Sequence, residues 1–202
     1  SNVYISDFMQ DCLAKLPTSL FDLYKQYFKD KDLLLSQKLQ TLKNCSLEAF
    51  QVRSDFIPSA AVMEEDQVPY AECIKMLEQL NDIKTVTKKI EAISQLRERV
   101  FEQMAMYRHW NRLIKKGLPV DKSAPLPQDG SIFDALGAED CAPVLYYILV
   151  QSNITTHNAQ ISFIYDWRII DEENPVITLL TFYDSFCEDV LRMDPSLKTS
   201  DG

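Results

Sequence analysis

The stretch that decides the fold is residues 137–150, GAEDCAPVLYYILV, in which two adjacent carboxylates and a proline precede an apolar run. The run is much shorter than the about 20 apolar residues that span a bilayer, so it predicts a helix buried in a protein core, from about Asp140 to Ser152. Acidic side chains are favourable in a first helical turn because the helix dipole is positive there. The two carboxylates therefore have two interpretations: a well-made helix start, or a site directed at another molecule.

Helical spacing of apolar residues continues along most of the chain, while strand-like alternation is almost absent. Ser46 is a candidate N-cap, and Thr85 or Thr87 begins a long helix. Asn174 and Pro175 suit the cap and the first position of the last helix. Residues 54–69 are predicted to be a connector with one short helical turn, and residues 115–130 a loop in which prolines stop any helix. The other predicted helices cover residues 3–16, 17–42, 46–52, 70–84 and 155–168, and the predicted fold class is all-α.

Composition restricts the function classes. The chain has 202 residues, 46% of them apolar, which suits one globular unit. Its net charge of −9 argues against a dedicated nucleic-acid binder, which needs a basic footprint, and against simple adhesion to anionic membranes. The five cysteines include no C-x-x-C pair, so a reducing compartment with free, buried thiols is the simplest account. We expect no nucleic-acid partner and no direct membrane insertion.

One basic stretch interrupts this acidic composition, RHWNRLIKK at residues 108–116. Cations near a helix C-terminus are favoured by the dipole, so a solvated helix end explains the stretch. A local basic patch that binds an anionic partner is the alternative.

Motifs of classical catalysis are absent from the sequence. His109 and His157 are the two histidines, and no H-E-x-x-H, G-x-S-x-G or phosphate-loop pattern occurs. Cys141 or Cys187 could meet His157 as a nucleophile pair, but two buried thiols and a capping or surface imidazole are the simpler interpretation. We therefore expect no metal, no cofactor and no hydrolytic or redox chemistry.

The final ninety or so residues resemble a known family. GAEDCAPVLYYILVQSNI, HNAQISFIYDW and PVITLLTFYDSF are similar to the core of the VPS-nine (vacuolar protein sorting nine) domain, and VPYAECIKMLEQLNDIKTVTKKIEAI is similar to the segment before it. The resemblance implies a layered helical core over residues 56–202, with a helical bundle segment over residues 1–55 packed on it as one compact unit.

Members of that family are guanine nucleotide exchange factors for early-endosomal Rab GTPases, and an Asp four residues before a Pro enters the nucleotide site of the GTPase. Here Glu139 occupies the position of that Asp, with Pro143 in register and Asp140 as a possible substitute. The family's Tyr-x-x-Thr pattern at the start of the last core helix matches Thr178, but Pro175 stands in place of the Tyr. The apolar candidates for the walls of the expected partner surface, each with a core role as the alternative, are Val144, Leu145, Ile161, Ile164 and Ile177.

The resemblance implies a guanine nucleotide exchange factor in endocytic vesicle trafficking, located in the cytoplasm at early endosomes. Its partner would be a Rab GTPase, and recruitment to the membrane would depend on other domains of a larger chain. A non-catalytic scaffold that kept the fold and binds a GTPase or another trafficking protein is the alternative. An all-α adaptor that shares only helical periodicity with the family is a third.

Overall fold

The computed structural model describes residues 19–64, 67–124, 137–168 and 174–193. Its regular elements are all helical, with no strand in these ranges, so the all-α prediction is confirmed. The predicted helix over 3–16 and the end of the predicted loop after residue 124 lie outside the described residues. In chain order the α-helices are α1 (Leu20–Tyr27), α2 (Lys29–Leu42), α3 (Ala71–Glu78), α4 (Val86–Lys115), α5 (Ala138–Gln151), α6 (His157–Trp167) and α7 (Pro175–Arg192).

The central helix is α5, which packs against α3, α4 and α7. Its apolar run lies in the main hydrophobic core, and the ring of Tyr146 stacks on that of Phe186 from α7 with centroids 4.6 Å apart. The prediction of a buried helix is confirmed, although the helix begins two residues before Asp140. None of the helices in the described ranges is both long and apolar enough to cross a bilayer.

The longest helix, α4, begins after Thr85 and ends in a Schellman motif. Gly117, at φ +69°, donates its N–H to the carbonyl of Ile114, and the N–H of Leu118 bonds the carbonyl of Leu113. Glycine suits this position because it has no Cβ to clash at positive φ. The helix therefore ends at a glycine, before the first of the prolines that were predicted to stop it.

The first two helices, α1 and α2, pack on α6 and α7. The ring centroids of Phe21 in α1 and Phe163 in α6 lie 5.3 Å apart. Asp32 of α2, only 3% exposed, accepts hydrogen bonds from the backbone N–H of Asn158 at 2.7 Å and of Ala159 at 3.3 Å. A side chain of α2 thus caps the first turn of α6, because the helix's own cap residue, Thr156, makes no side-chain hydrogen bond to the backbone of that turn.

A buried lysine joins three of these helices. Lys89 of α4 donates from Nζ to the carbonyl of Leu80 at 2.7 Å and to Oε1 of Gln160 at 2.5 Å. The same ammonium lies 3.8 Å from the ring centroid of Phe21, where the negative face of the aromatic ring attracts a cation. Lys89 is fully buried, so these contacts hold α1, α4 and α6 together without exposing the charge.

The connector between α2 and α3 differs in part from expectation. The predicted helix at Ser46 is wrong: residues 47–51 form turns, and Gln51 has a φ of 63°, which no α-helix accommodates. The single helical turn predicted within 54–69 is confirmed as a 3₁₀ helix at Ser54–Phe56. Tyr70 also has a positive φ, and its buried hydroxyl donates to the carbonyl of Phe56 at 2.7 Å.

The C-terminal ends of α5 and α7 both meet the end of α2. Nζ of Lys43 donates to Asn153, just after α5, at 3.0 Å. Nζ of Lys38 donates to the carbonyl of Met193, just after α7, at 2.7 Å. Because the two helices also pack side by side, they run in the same general direction, and their first turns lie at the same end of the pair.

Candidate functional site

The first turn of α5 is fixed by one of its two carboxylates. Oδ2 of Asp140 accepts the N–H of Gly137 at 3.2 Å, which satisfies the backbone at the helix start. Oδ1 of the same carboxylate lies 2.9 Å from Nη1 of Arg53. With both oxygens engaged and its side chain only 16% exposed, Asp140 is a structural residue, and the structure does not favour it as a substitute for Glu139.

Arg53 connects this turn to the segment that follows the first two helices. Its guanidinium lies 5.0 Å from the ring centroid of Phe56, which is fully buried, and Nη2 is 3.7 Å from Oδ2 of Asp55. The guanidinium thus stacks on one face and forms ion pairs along its edge. The N-terminus of α5 is therefore held from outside its own helix.

Glu139 has none of these contacts. It is exposed and forms no hydrogen bond or ion pair with any residue of the described ranges. Successive residues of a helix point about 100° apart, so Glu139 points away from the pair formed by Asp140 and Arg53. A free carboxylate in a first helical turn is available to a partner.

Pro143 stands four residues after Glu139, within α5. A proline has no N–H, so the carbonyl of Glu139 receives no helical hydrogen bond from that position. Pro143 is half-buried, whereas Val144 is fully buried in the core. Val144 therefore cannot contact a partner in this conformation, and we correct its assignment to the partner surface; Leu145, Ile161 and Ile164 are buried in the same way.

The first turn of α7 presents a second part of the expected surface. Oδ1 of Asn174 accepts the N–H of Val176 at 2.9 Å, which confirms Asn174 as the cap and Pro175 as the first helical residue. Pro175 and Thr178 are exposed, and Ile177 is half-buried. These side chains are accessible, and they lie at the same end of the paired helices as Glu139.

The thiols and the buried imidazole do not form a catalytic pair. Nδ1 of His157 lies 2.7 Å from the hydroxyl of Tyr183, and burial lowers the pKa of His157 to about 4. Burial also raises the pKa of Cys141 to about 12 and that of Cys187 well above its usual range, so neither thiol forms a nucleophilic thiolate near neutral pH. His157 is fully buried, and the prediction of a capping or surface imidazole is wrong.

One feature of the site could have been found in the sequence, and another could not. Asp140 stands three residues after Gly137, the spacing of a helix cap and the acidic residue that bonds back to it. Arg53 gave no signal, because it is 87 residues away from Asp140 and lies in a connector of irregular sequence.

No group of three or more potential metal ligands occurs among the described residues. No model of a known protein family matches the chain, and none of the curated proteins is significantly similar to it.

Proposed function

We propose that the protein is a guanine nucleotide exchange factor for early-endosomal Rab GTPases, with Glu139 as the acidic residue that enters the nucleotide site. One observation supports this above all: Glu139 is exposed and has no partner among the described residues, while the adjacent Asp140 is engaged through both oxygens in fixing the helix start. Both carboxylates would satisfy the helix dipole, so the dipole alone gives no reason for one of them to remain free.

The proposed mechanism needs no covalent chemistry. A carboxylate that reaches the phosphate-binding lysine of a GTPase competes with the β-phosphate of GDP for the ammonium. The resemblance implies that Mg²⁺ is also displaced, and its loss would weaken GDP binding further because the metal is often the largest local positive charge in such a site. Binding the nucleotide-free GTPase more tightly than the GDP-bound form then accelerates release.

The contacts of Arg53 and Asp140 support this role physically. A carboxylate on a freely moving helix end would lose much of its effect, because small misplacements are costly in a preorganised site. Here the helix start is held by a hydrogen bond at 3.2 Å and an ion pair at 2.9 Å, and it is stacked on a buried ring through Arg53. Glu139 would thus be presented from a fixed base.

Two differences from the family pattern favour the alternative, a non-catalytic scaffold that binds a GTPase or another trafficking protein. Glu139 is one methylene longer than the Asp of the family pattern. Pro175 replaces an aromatic residue, and loss of an aromatic interface residue costs on the order of 2 kcal/mol, roughly thirtyfold in affinity. A scaffold would bind a Rab without accelerating nucleotide release.

Release of fluorescent GDP from a panel of Rab GTPases, with binding measured in parallel, tests the proposal. We expect wild-type protein to accelerate release from an early-endosomal Rab, and Glu139→Gln to lower the acceleration about tenfold or more, about 1.4 kcal/mol of barrier. Asp30→Asn is the matched control, since Asp30 is also an exposed acidic residue at the second position of a helix, α2. Binding without acceleration would support the scaffold, and equal loss in both variants would contradict the proposal.

We further propose that the protein acts in the cytoplasm at early endosomes, as part of a larger chain that supplies recruitment to the membrane. Loss of endosomal Rab activation in cells that carry Glu139→Gln, with unchanged protein level, is the expected result. Normal activation in those cells would contradict this placement.

A further inference from the structure

Arg108 of α4 is buried without a partner in the part of the chain that the structure describes. Only 8% of its surface is exposed, and its guanidinium forms no hydrogen bond, ion pair or ring contact with a described residue. Nε and Nη1 are shielded from solvent, and Nη2 alone among the three nitrogens is not enclosed. The charge therefore lies in a recess with one edge open to the outside.

Such an arrangement is costly in the free protein. Buried polar groups are nearly always hydrogen-bonded, and a buried charge without a partner costs several kcal/mol more than a paired one. Asn111, one turn further along α4, shows the usual situation: its amide nitrogen donates to the carbonyls of Asp55 at 3.1 Å and Ile57 at 2.8 Å. An unpaired guanidinium beside such a satisfied amide indicates a position reserved for an anion.

Two more unpaired cations follow Arg108 on the same face of the helix. Arg112 and Lys116 come four and eight residues later, are exposed, and form no ion pair with the described residues. Positions four apart on a helix differ by about 40° and are about 6 Å apart along the axis. Lys115 is excluded from this set, because its Nζ lies 3.6 Å from Asp55.

We propose that the face of α4 formed by Arg108, Arg112 and Lys116, the basic stripe, binds a phosphate monoester such as that of an inositol phosphate. The dipole at the helix end accounts for Arg112 and Lys116 but not for the burial of Arg108. The open Nη2 of Arg108 can donate to phosphate oxygens in charge-assisted hydrogen bonds, and a dianion suits several cations better than a single carboxylate does. The net charge of −9 opposes unspecific adhesion to anionic surfaces, so binding would depend on this local stripe.

Thermal unfolding and calorimetric titration of the full chain, with inositol trisphosphate as the probe, test the proposal. We expect the unfolding temperature to rise with the probe but not with chloride at equal ionic strength. Arg108→Met should weaken binding at least tenfold. In the absence of the probe the same substitution should raise the unfolding temperature by about 2–4 °C, since it removes an unpaired buried charge.

The controls use cations outside and within the basic stripe. Arg192→Met removes one exposed arginine at the end of α7 and should leave binding unchanged. Arg112→Met should lower affinity without an effect on folding, because the side chain is exposed. Equal binding by wild type and Arg112→Met, or a marked loss of stability in probe-free Arg108→Met, would overturn the proposal.

Vesicles distinguish the sources of the phosphate group. Sedimentation with phosphatidylcholine vesicles that carry a phosphatidylinositol phosphate, and not with phosphatidylserine vesicles of matched charge, would identify a lipid headgroup as the source. Binding of the soluble probe without sedimentation would identify a soluble phosphate, and both results support the basic stripe. Equal sedimentation with both vesicle types would contradict it, because general charge attraction would then be sufficient.

Discussion

Replacing Asp32 with alanine should destabilise the protein more than any other single loss of a charge on α1 or α2. The carboxylate accepts two backbone N–H groups of α6 and also the side-chain amide of Asn158 at 2.9 Å, in a site that is only 3% exposed. Burial raises the pKa of Asp32, while the hydrogen bonds from Asn158 and Ala159 oppose that change. The three donors favour the ionised form, since each points its hydrogen at a carboxylate oxygen.

The magnitude follows from the donors left behind. A buried donor without a partner costs about 1–3 kcal/mol, and loss of a helix cap about 1 kcal/mol. Water that enters the vacated space would satisfy part of these donors and reduce the total cost. We therefore expect Asp32→Ala to lower the free energy of unfolding by about 3 kcal/mol, a large fraction of the 5–15 kcal/mol typical of a domain. Asp32→Asn keeps one acceptor oxygen and should cost about half as much.

Urea unfolding followed by circular dichroism measures these differences, with the slope m expected to stay constant. Asp30→Asn is the control, because Asp30 lies two residues earlier on the same helix and is exposed. We expect it to change the free energy of unfolding by less than about 1 kcal/mol. A loss below 1 kcal/mol for Asp32→Ala, or equal losses for the two positions, would refute the tertiary cap.

Two further predictions concern pH. Burial lowers the pKa of His157 to about 4, whereas the ordinary pKa of histidine is about 6.5. Between these two values only the unfolded chain binds the proton, so the free energy of unfolding should keep its full value above about pH 6.5 and fall by about 3 kcal/mol towards pH 4. In urea unfolding, His157→Gln should lack this loss. Burial, with Lys84 and Lys25 nearby, lowers the pKa of Lys89 to about 7, so the folded protein releases a proton that the unfolded chain keeps until about pH 10. The stability of wild type relative to Lys89→Met should therefore increase between pH 7 and 10, and a constant difference would contradict it.

Periodicity and capping were sufficient to predict most helices. The start of α4 after Thr85 and the cap at Asn174 follow from local hydrogen-bonding rules, and the structure confirms both. The segment at Ser46 failed because a favourable cap does not make a helix when the next residues close into turns. Local rules do not include the tertiary contacts that decide such short segments.

The polar residues that determine the packing could not be predicted. Asp32 lies in a KDKD run that indicates a solvated surface, and Lys89 lies in a similar KK pair, yet both are buried. Their partners, Asn158 and Gln160, are 126 and 71 residues away along the chain. Pairings at such distances depend on how the helices meet, which no spacing within one helix records.

The predicted site residues differ in how accessible they are. Glu139, Pro143 and Thr178 are accessible to different degrees, as a partner surface requires, but Val144 is a core residue. An apolar residue beside a site has the same sequence signature whether it faces the core or a partner. The bond of Asp140 to Gly137 follows from the spacing of a helix cap, but its ion pair with Arg53 could be seen only in the structure.

The central claim is that the negative charge at position 139 drives nucleotide release. The most direct measurement is the rate of GDP release from an early-endosomal Rab with Glu, Asp or Gln at this position and the rest of the chain unchanged. The account predicts acceleration by both acidic residues and a loss of about tenfold or more with Gln. Acceleration by the Gln variant equal to that of wild type would contradict it.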